Sequence, residues 1–249
     1  MTKANDHRTI IIVQARMTSS RLPGKVLKEV LGKPLLAYQL ERLLSSRKAD
    51  DIVLATTVNL TDQPLVDFCR SRGISFYRGS EQDVLARYYE AACGHDADVI
   101  VRVTSDCPLI DPRVVDRVIA DYREGGADYV ANIIERSYPR GMDCEVFSFE
   151  ALAAAYREAA ERPEREHVTP FIHRQPARFR LRNVAYSEDQ SRHRWTVDTL
   201  DDFELMRCML EALAGKMPDF TLEDCLALID ENPEWEKINW HVEQKTYGE

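Results

Sequence analysis

Short, β-branched apolar runs alternate with helix-length segments over the first half of the chain, and this alternation is the strongest constraint on the fold. The runs occupy residues 9–13, 51–56, 74–77, 98–103 and 128–131. Continuous apolar runs are typical of parallel strands covered on both faces, and parallel pairing requires crossovers of helical length. We therefore predict an α/β chain with a doubly wound, mainly parallel, Rossmann-like sheet.

The pattern is less regular after residue 131. We predict a loop over 132–141, strands over 144–149, 179–184 and 194–197, and helices over 151–160, 164–174, 200–213 and 222–230. The strand at 179–184 alternates as an exposed edge would, whereas 194–197 has the composition of a core strand. The sequence thus predicts a single domain, 1–249, with an α+β segment inserted at 132–192.

Composition limits the partners of the chain. A formal net charge of -9 and a pI near 5.3 argue against bulk electrostatic binding to nucleic acid or to anionic membrane. Apolar runs fall far short of the ~20 residues that span a bilayer, and residues 1–8 are polar. The six cysteines form no CxxC pair, which is typical of free thiols in a reducing cytosol. We expect a soluble, cytoplasmic protein.

The loop that follows the first strand carries three cations, Arg16, Arg21 and Lys25, with small and hydroxyl residues between them. A turn after the first strand of an open parallel sheet lies at the carboxyl edge, where such folds bind ligands. This local positive charge on an acidic protein predicts a polyanion site, and a triphosphate has the charge to match it. The loop is neither a Walker A sequence nor a GxGxxG fingerprint. The alternative is a solvated basic loop without a ligand.

Two aspartates also follow predicted strands, and both are expected at the same edge. Asp106 comes just after the fourth strand, and Asp198 follows the run 195–197. Such a pair beside a triphosphate suits Mg²⁺, which prefers hard oxygen ligands. Each has a structural alternative: Asp198 as a helix N-cap and Asp106 in an Asp-x-Pro turn. Asp111 is predicted to cap the helix that starts at Pro112 and is left out of the site.

Six motifs carry a resemblance to a known family. They are 13–25 (VQARMTSSRLPGK), 77–87 (YRGSEQDVLAR), 102–109 (RVTSDCPL), 141–147 (GMDCEVF), 165–170 (REHVTP) and 195–198 (WTVD). Together they closely resemble the cytidylyltransferases that activate 3-deoxy-2-keto sugar acids, such as the acylneuraminate and 3-deoxy-manno-octulosonate enzymes. The spore-coat polysaccharide biosynthesis protein F group is the most similar subgroup. The resemblance extends over nearly the whole chain.

The resemblance implies a Mg²⁺-dependent transfer of CMP from CTP to a 3-deoxy-2-keto sugar acid with release of pyrophosphate, for surface polysaccharide biosynthesis. It implies catalytic roles for Arg16, Lys25 and Asp106, and metal ligation by Asp106 and Asp198. The expected nucleotide-binding residues are Gln14, Ala15, Arg16, Ser20, Arg21, Lys25, Arg78, Gly79, Ser80 and Asp83. For Ser80 and Asp83 a turn with a helix N-cap is an equal alternative. A homodimer that forms contacts through 132–192 is also implied, and the choice of cytosine rests on the resemblance alone.

The acceptor site is expected to bind a carboxylate and hydroxyl groups. Arg102 and Arg140 are candidates to clamp the carboxylate, and Asp143 and Glu145 to hold sugar hydroxyls. Glu166 could reach the pocket, from this chain or from the second subunit of a dimer, or could instead pair with neighbouring arginines. Two other functions stay open: a glycosyltransferase that uses a sugar nucleotide, although no Asp-x-Asp motif is apparent, and a non-catalytic nucleotide-binding subunit.

Overall fold

Seven strands form one sheet whose central part is parallel, in a computed structural model that describes residues 7–244. In chain order the strands are β1 (Thr9–Gln14), β2 (Glu29–Val30), β3 (Lys33–Pro34), β4 (Asp51–Thr57), β5 (Ser75–Gly79), β6 (Val99–Thr104), β7 (Tyr129–Ala131), β8 (Glu145–Ser148) and β9 (Leu181–Asn183). The order across the seven-stranded sheet is β5-β4-β1-β6-β8-β7-β9. Strands β2 and β3 form a separate antiparallel pair. Only β8 runs against its sheet neighbours, β6 and β7, so the predicted mainly parallel α/β sheet is confirmed.

Helices cover both faces of this sheet. They are α1 (Leu35–Leu43), α2 (Gln63–Arg72), α3 (Val84–Gly94), α4 (Pro112–Arg123), α5 (Phe149–Glu158), α6 (Arg162–His167), α7 (Pro170–His173), α8 (Leu200–Ala212), α9 (Leu222–Glu231) and α10 (Glu236–Asn239), with short 3₁₀ turns at Lys25–Leu27, Leu60–Asp62, Ala214–Lys216 and Pro233–Trp235. No helix within residues 7–244 is both long and apolar enough to span a bilayer.

The first strand shows how the sequence builds two cores. Ile10 and Ile12 pack on one face with residues of α3 and α5. Ile11 and Val13 pack on the other face with residues of α1, α2 and α4. Successive side chains of a strand point to opposite faces, so a continuous apolar run is needed where both faces are covered. A third apolar cluster lies beneath α8 and α9 and includes Trp195.

Two predicted elements are wrong. The helix predicted over 164–174 is two short helices, α6 and α7, because Val168 has a φ of 72°, in the left-handed region, and Pro170 starts a new turn. The core strand predicted over 194–197 is absent, although residues 195–197 are buried. Arg194 instead forms a single parallel bridge with Arg140, since its neighbour in space is a turn rather than a strand.

The segment 132–192 contributes two strands to the same sheet, β8 and the edge strand β9. Within residues 7–244, strand β9 pairs only with β7, in parallel, so its other side is an unpaired edge of the described sheet. This agrees with the exposed strand expected at 179–184. The expected homodimer and the role of 132–192 in it stay predictions.

Candidate active site

A cavity of about 530 Å³ opens at the carboxyl ends of β1 and β6. Six basic side chains line it, against four carboxylates, so it is locally cationic on an acidic protein. Twelve of the predicted site residues lie on its wall: Gln14, Ala15, Arg16, Ser20, Arg21, Lys25, Arg102, Asp106, Arg140, Asp143, Glu166 and Asp198. Contributions come from residues far apart in sequence because parallel strands end at one edge of the sheet.

The cationic loop after β1 is held in shape by its own backbone. Gly24 has a φ of 70°, a left-handed conformation that glycine adopts at little cost, and its N–H donates to the carbonyl of Met17 over 2.9 Å. The N–H of Met17 donates in turn to Asp62 Oδ1 over 2.7 Å. The turn leads directly into the 3₁₀ segment that begins at Lys25, whose side chain is buried and points into the cavity rather than into solvent.

Lys25 links the two predicted aspartates. Its Nζ lies 3.1 Å from Asp106 Oδ2 and 2.8 Å from Asp198 Oδ1. A backbone hydrogen bond from the N–H of Val197 to the carbonyl of Asp106, over 2.8 Å, holds the two segments side by side. The sequence predicted that both carboxylates would lie at this edge, and the structure places them within reach of one cation.

The electrostatics of this contact are strong because the groups are shielded from water. Burial by itself lowers the pKa of Lys25, but the charges of Asp106 and Asp198 outweigh it, and the pKa is raised above its ordinary value. Burial likewise works to raise the pKa of Asp106, yet the charge of Lys25 and the hydrogen bond from Thr104 hold that pKa at about 2. The lysine is therefore an ammonium and the aspartate a carboxylate at neutral pH.

Asp198 is not a helix cap. The cap of α8 is Thr199, whose hydroxyl accepts from the N–H of Asp202 in a capping box. The carboxylate oxygen of Asp198 that does not contact Lys25, Oδ2, accepts instead from Arg21 over 2.9 Å and from Arg194 over 2.8 Å. Its lone pairs are thus directed at cations, and the N-cap alternative for this residue is wrong.

The donor set suits a hard cation that is shared with phosphate. Among residues 7–244, no group of three or more acidic, histidine or cysteine side chains is arranged to hold a metal by itself. Mg²⁺ commonly binds through one or two carboxylates, with substrate phosphates and water completing its octahedron. The Asp106–Asp198 pair fits that pattern and lies beside the cationic loop after β1.

The cavity wall also carries candidate acceptor groups. The two arginines among them, Arg102 and Arg140, have different partners. Arg102 is buried in an ion pair with Glu145, which also accepts from the Tyr129 hydroxyl over 2.5 Å. Glu145 is 2% exposed and does not line the cavity. The side chain of Arg140 makes no hydrogen bond or ion pair in the described part of the chain, so its guanidinium is available to an anion.

Arg140 is held in place by its backbone. Its N–H donates to the carbonyl of His193, and its carbonyl accepts from the N–H of Trp195 over 2.8 Å. The next residue, Gly141, has a φ of 106°, and a Cβ there would lie 2.6 Å from the carbonyl oxygen of Trp195. Only glycine fits this close approach, which sets the Arg140 turn against the strand-like segment that leads to Asp198.

Asp143 and Glu166 are also on the cavity wall. Asp143 forms a two-pronged ion pair with Arg136, with distances of 2.6 and 2.9 Å. Glu166 and its neighbour His167, on α6, line the cavity of their own chain. Burial lowers the pKa of His167. A second subunit is not required to bring these two side chains to the site.

Four residues expected to bind the nucleotide lie outside the cavity wall. The guanidinium of Arg78 donates to backbone carbonyls of Thr57 and Asn59. Asp83 caps α3 and pairs with Arg165 over 2.5 Å, while Ser80 accepts from the N–H of Asp83 and Gly79 ends β5. The turn-and-cap alternative describes Ser80 and Asp83 well, and their contact with a nucleotide stays a prediction.

Arg87 is a charged residue of the cavity wall to which the sequence analysis gave no role. Arg87, on α3, is 2% exposed and lines the cavity. One of its terminal nitrogens donates to the carbonyl of Ser80 over 2.8 Å, while its Nε finds no partner among the described residues. The signal in the sequence that could have pointed to Arg87 is its position within the family motif 77–87. Its burial adds to that signal, because a buried guanidinium needs hydrogen-bond acceptors.

Comparison with known proteins identifies the family. The family model described as cytidylyltransferase matches residues 10–220.

The chain belongs to the cytidylyltransferase family.

Relatives of this cytidylyltransferase agree with that assignment. The spore coat polysaccharide biosynthesis protein SpsF of Bacillus subtilis is 33% identical over 90% of this chain and 95% of its own. The 3-deoxy-manno-octulosonate cytidylyltransferase of Chloroherpeton thalassium is 35% identical over 51% of each chain. A solved cytidylyltransferase from Leptospira borgpetersenii superposes with a TM-score of 0.88 at 31% identity, covering 97% of this chain and 99% of that one. This cytidylyltransferase is thus an enzyme that uses CTP.

Proposed function

We propose that this cytidylyltransferase transfers CMP from CTP to a 3-deoxy-2-keto sugar acid, with Mg²⁺, to supply an activated sugar for a surface polysaccharide. The observation that carries the proposal is the Asp106–Lys25–Asp198 contact at the end of a cationic loop. On the same cavity wall lies the guanidinium of Arg140, which has no hydrogen-bond or ion-pair partner among residues 7–244. The cationic loop and the two carboxylates suit a triphosphate with its metal, and Arg140 suits the carboxylate of an acceptor.

The reaction is a substitution at the α-phosphorus of CTP. The anomeric oxygen of the acceptor forms a bond to the α-phosphorus, and the bond from that phosphorus to the α,β-bridging oxygen breaks. Pyrophosphate leaves with the bridging oxygen, and the proton of the acceptor hydroxyl passes to solvent. Catalysis of this kind depends on positioning and on charge stabilisation, without a covalent enzyme intermediate. The residues proposed to hold the triphosphate and its leaving group are Arg16, Arg21 and Lys25.

Mg²⁺ would be held by Asp106 and Asp198 together with phosphate oxygens, and when bound it would neutralise charge on the phosphates. Arg194 restrains Asp198 from its other side, which keeps the carboxylate oriented. Lys25 is the group whose ammonium faces the carboxylates in the protein alone and is proposed to face the triphosphate in the complex.

The acceptor carboxylate is proposed to bind Arg140. Arg102 is less suited because Glu145 already neutralises it within the protein core, and a paired guanidinium gains little from a second anion. Arg140 is half-buried, and burial together with the nearby charges of Arg136 and Arg194 lowers its pKa, although the carboxylate of Asp143 partly offsets them. The guanidinium therefore lacks a full counter-charge. An incoming carboxylate would supply that charge.

Pyrophosphate release tests the proposal. Each of the four NTPs would be incubated with Mg²⁺ and a panel of eight- and nine-carbon keto sugar acids, with the matching neutral sugars as controls. We expect release that requires CTP and a sugar acid together. Release without an acceptor, or none with any pair, would refute the proposed reaction. Turnover of a sugar nucleotide in its place would favour a glycosyltransferase.

A further inference from the structure

Lys25 and five other charged side chains form a connected group of ion pairs with no net charge, called here the charge cluster. Its cations and its carboxylates are equal in number: Arg21, Lys25 and Arg194 against Asp106, Asp198 and Asp202. The shortest contact of each ion pair is 3.1 Å or less. The protein alone therefore already satisfies both carboxylates that the proposed function assigns to the metal.

The cations sit on the same oxygens that a metal would need. Asp198 accepts from Lys25 on Oδ1 and from Arg21 and Arg194 on Oδ2, so both of its oxygens are engaged. Asp106 accepts from Lys25 on Oδ2 and from the Thr104 hydroxyl on Oδ1 over 2.6 Å. A divalent cation that entered this cluster would face three positive charges, two of them on side chains at least 89% buried. Like charges in a shielded site repel strongly.

A triphosphate changes this balance. It brings several negative charges, since each phosphoryl group is anionic at neutral pH. The two loop cations of the cluster, Lys25 and Arg21, belong to the same segment that the nucleotide is proposed to contact. If those cations turn to phosphate oxygens, the carboxylates lose their counter-charges at the moment when a metal can bind between them and the nucleotide. Arg194 differs, because Asp202 holds it through its Nε over 3.0 Å.

We propose that Lys25, supported by Arg21, blocks metal binding to Asp106 and Asp198 in the nucleotide-free enzyme, so that the divalent cation enters only together with the triphosphate. This inference rests on the proposed function for the identity of the metal pair. The inference assigns to Lys25 a second role besides holding phosphate: Lys25 prevents a metal ion from binding to the two carboxylates when no nucleotide is present. The two roles use one ammonium in two positions.

Binding of Mn²⁺ to the nucleotide-free protein tests the block. Mn²⁺ replaces Mg²⁺ at oxygen sites, and its electron paramagnetic resonance signal reports the free ion directly. We expect weak binding to the wild type and binding about 10-fold tighter or more to Lys25→Met, a coupling of ordinary size. The matched control is Lys28→Met, which removes the same charge one turn later, from a side chain that lies over the Phe203 ring. It should behave as the wild type.

Two further variants keep the test decisive. Asp198→Asn in the Lys25→Met background should abolish the gained Mn²⁺ site, and a site that persists there would lie elsewhere and overturn the proposal. If Lys25→Met does not fold, as judged by circular dichroism, Arg21→Gln replaces it, since that side chain is 30% exposed. Equal Mn²⁺ binding by the wild type and whichever variant folds would also overturn the proposal.

A nucleotide-binding experiment tests whether the Lys25 ammonium contacts the phosphates when CTP is bound. In EDTA, metal-free CTP should bind the wild type more tightly than Lys25→Met, and equal binding would contradict the proposed turn of Lys25 to the phosphates. These binding results are separate from pyrophosphate release. A wild type that shows the Mn²⁺ block but no transfer to any sugar acid would disprove the proposed reaction and leave the block standing.

Discussion

Replacement of Asp106 by Asn removes one charge from the centre of the site and changes little else. The amide keeps the size of the side chain and an oxygen that can accept from the Thr104 hydroxyl, which now lies 2.6 Å away. What is lost is the attraction to Lys25 Nζ at 3.1 Å and one oxygen ligand for the proposed metal. The variant should therefore fold but transfer CMP poorly.

The loss of stability follows from the pKa of Asp106. A fall from the ordinary 3.8 to about 2 corresponds to about 2 kcal/mol of stability when the group is ionised. Because the folded pKa is depressed, that stabilisation is fully present above about pH 4 and disappears as the pH falls towards 2. Urea denaturation should show wild type and Asp106→Asn differing by about 2 kcal/mol at pH 7, and by about half of that near pH 3.

Activity should fall much further than stability does. Loss of a metal ligand and of its charge beside the leaving group should reduce kcat/KM for pyrophosphate release on the order of 10³-fold. Asp67→Asn is the control, because this aspartate is 63% exposed on α2 and should change stability by less than about 0.5 kcal/mol. A kcat/KM of Asp106→Asn within threefold of the wild type would refute the role of Asp106, and a stability difference that does not change with pH would refute the electrostatic argument.

Three other substitutions have expected outcomes. Gly141→Ala should cost about 3 kcal/mol in urea denaturation, since a Cβ would meet the Trp195 carbonyl at 2.6 Å and φ is 106°; an unchanged midpoint would contradict the close approach. Glu145→Gln should cost about 3 kcal/mol because it leaves Arg102 buried without a counter-charge, whereas Glu145→Met with Arg102→Met should cost less than the single change; a double variant as unstable as the single one would contradict this. Arg140→Gln should raise KM for the sugar acid about 10-fold or more and leave KM for CTP unchanged; an equal rise in both would place Arg140 outside the acceptor site.

The sequence alone was enough to predict the architecture and one end of the site. The run at 10–13 is apolar at every position because both faces of β1 are covered, and that property is visible without a structure. Parallel strands end at one edge, so the positions of Arg16, Lys25 and Asp106 beside each other follow from strand order. Helix caps such as Asp111 are also local, since the cap and its N–H lie within a few residues.

Only the tertiary structure decided which polar side chains face each other. Asp198 has the local pattern of an N-cap. In the structure a backbone hydrogen bond between Val197 and Asp106 holds the segment of Asp198 beside that of Asp106, and Asp198 pairs with Lys25 instead. In the sequence Arg102 and Arg140 are equal candidates to bind the acceptor carboxylate. In the structure Glu145 from the neighbouring strand neutralises Arg102 and leaves Arg140 available. Short polar residues fit a cap, a turn or a ligand site equally well by local rules, and the charges brought to them by distant segments determine which role they take.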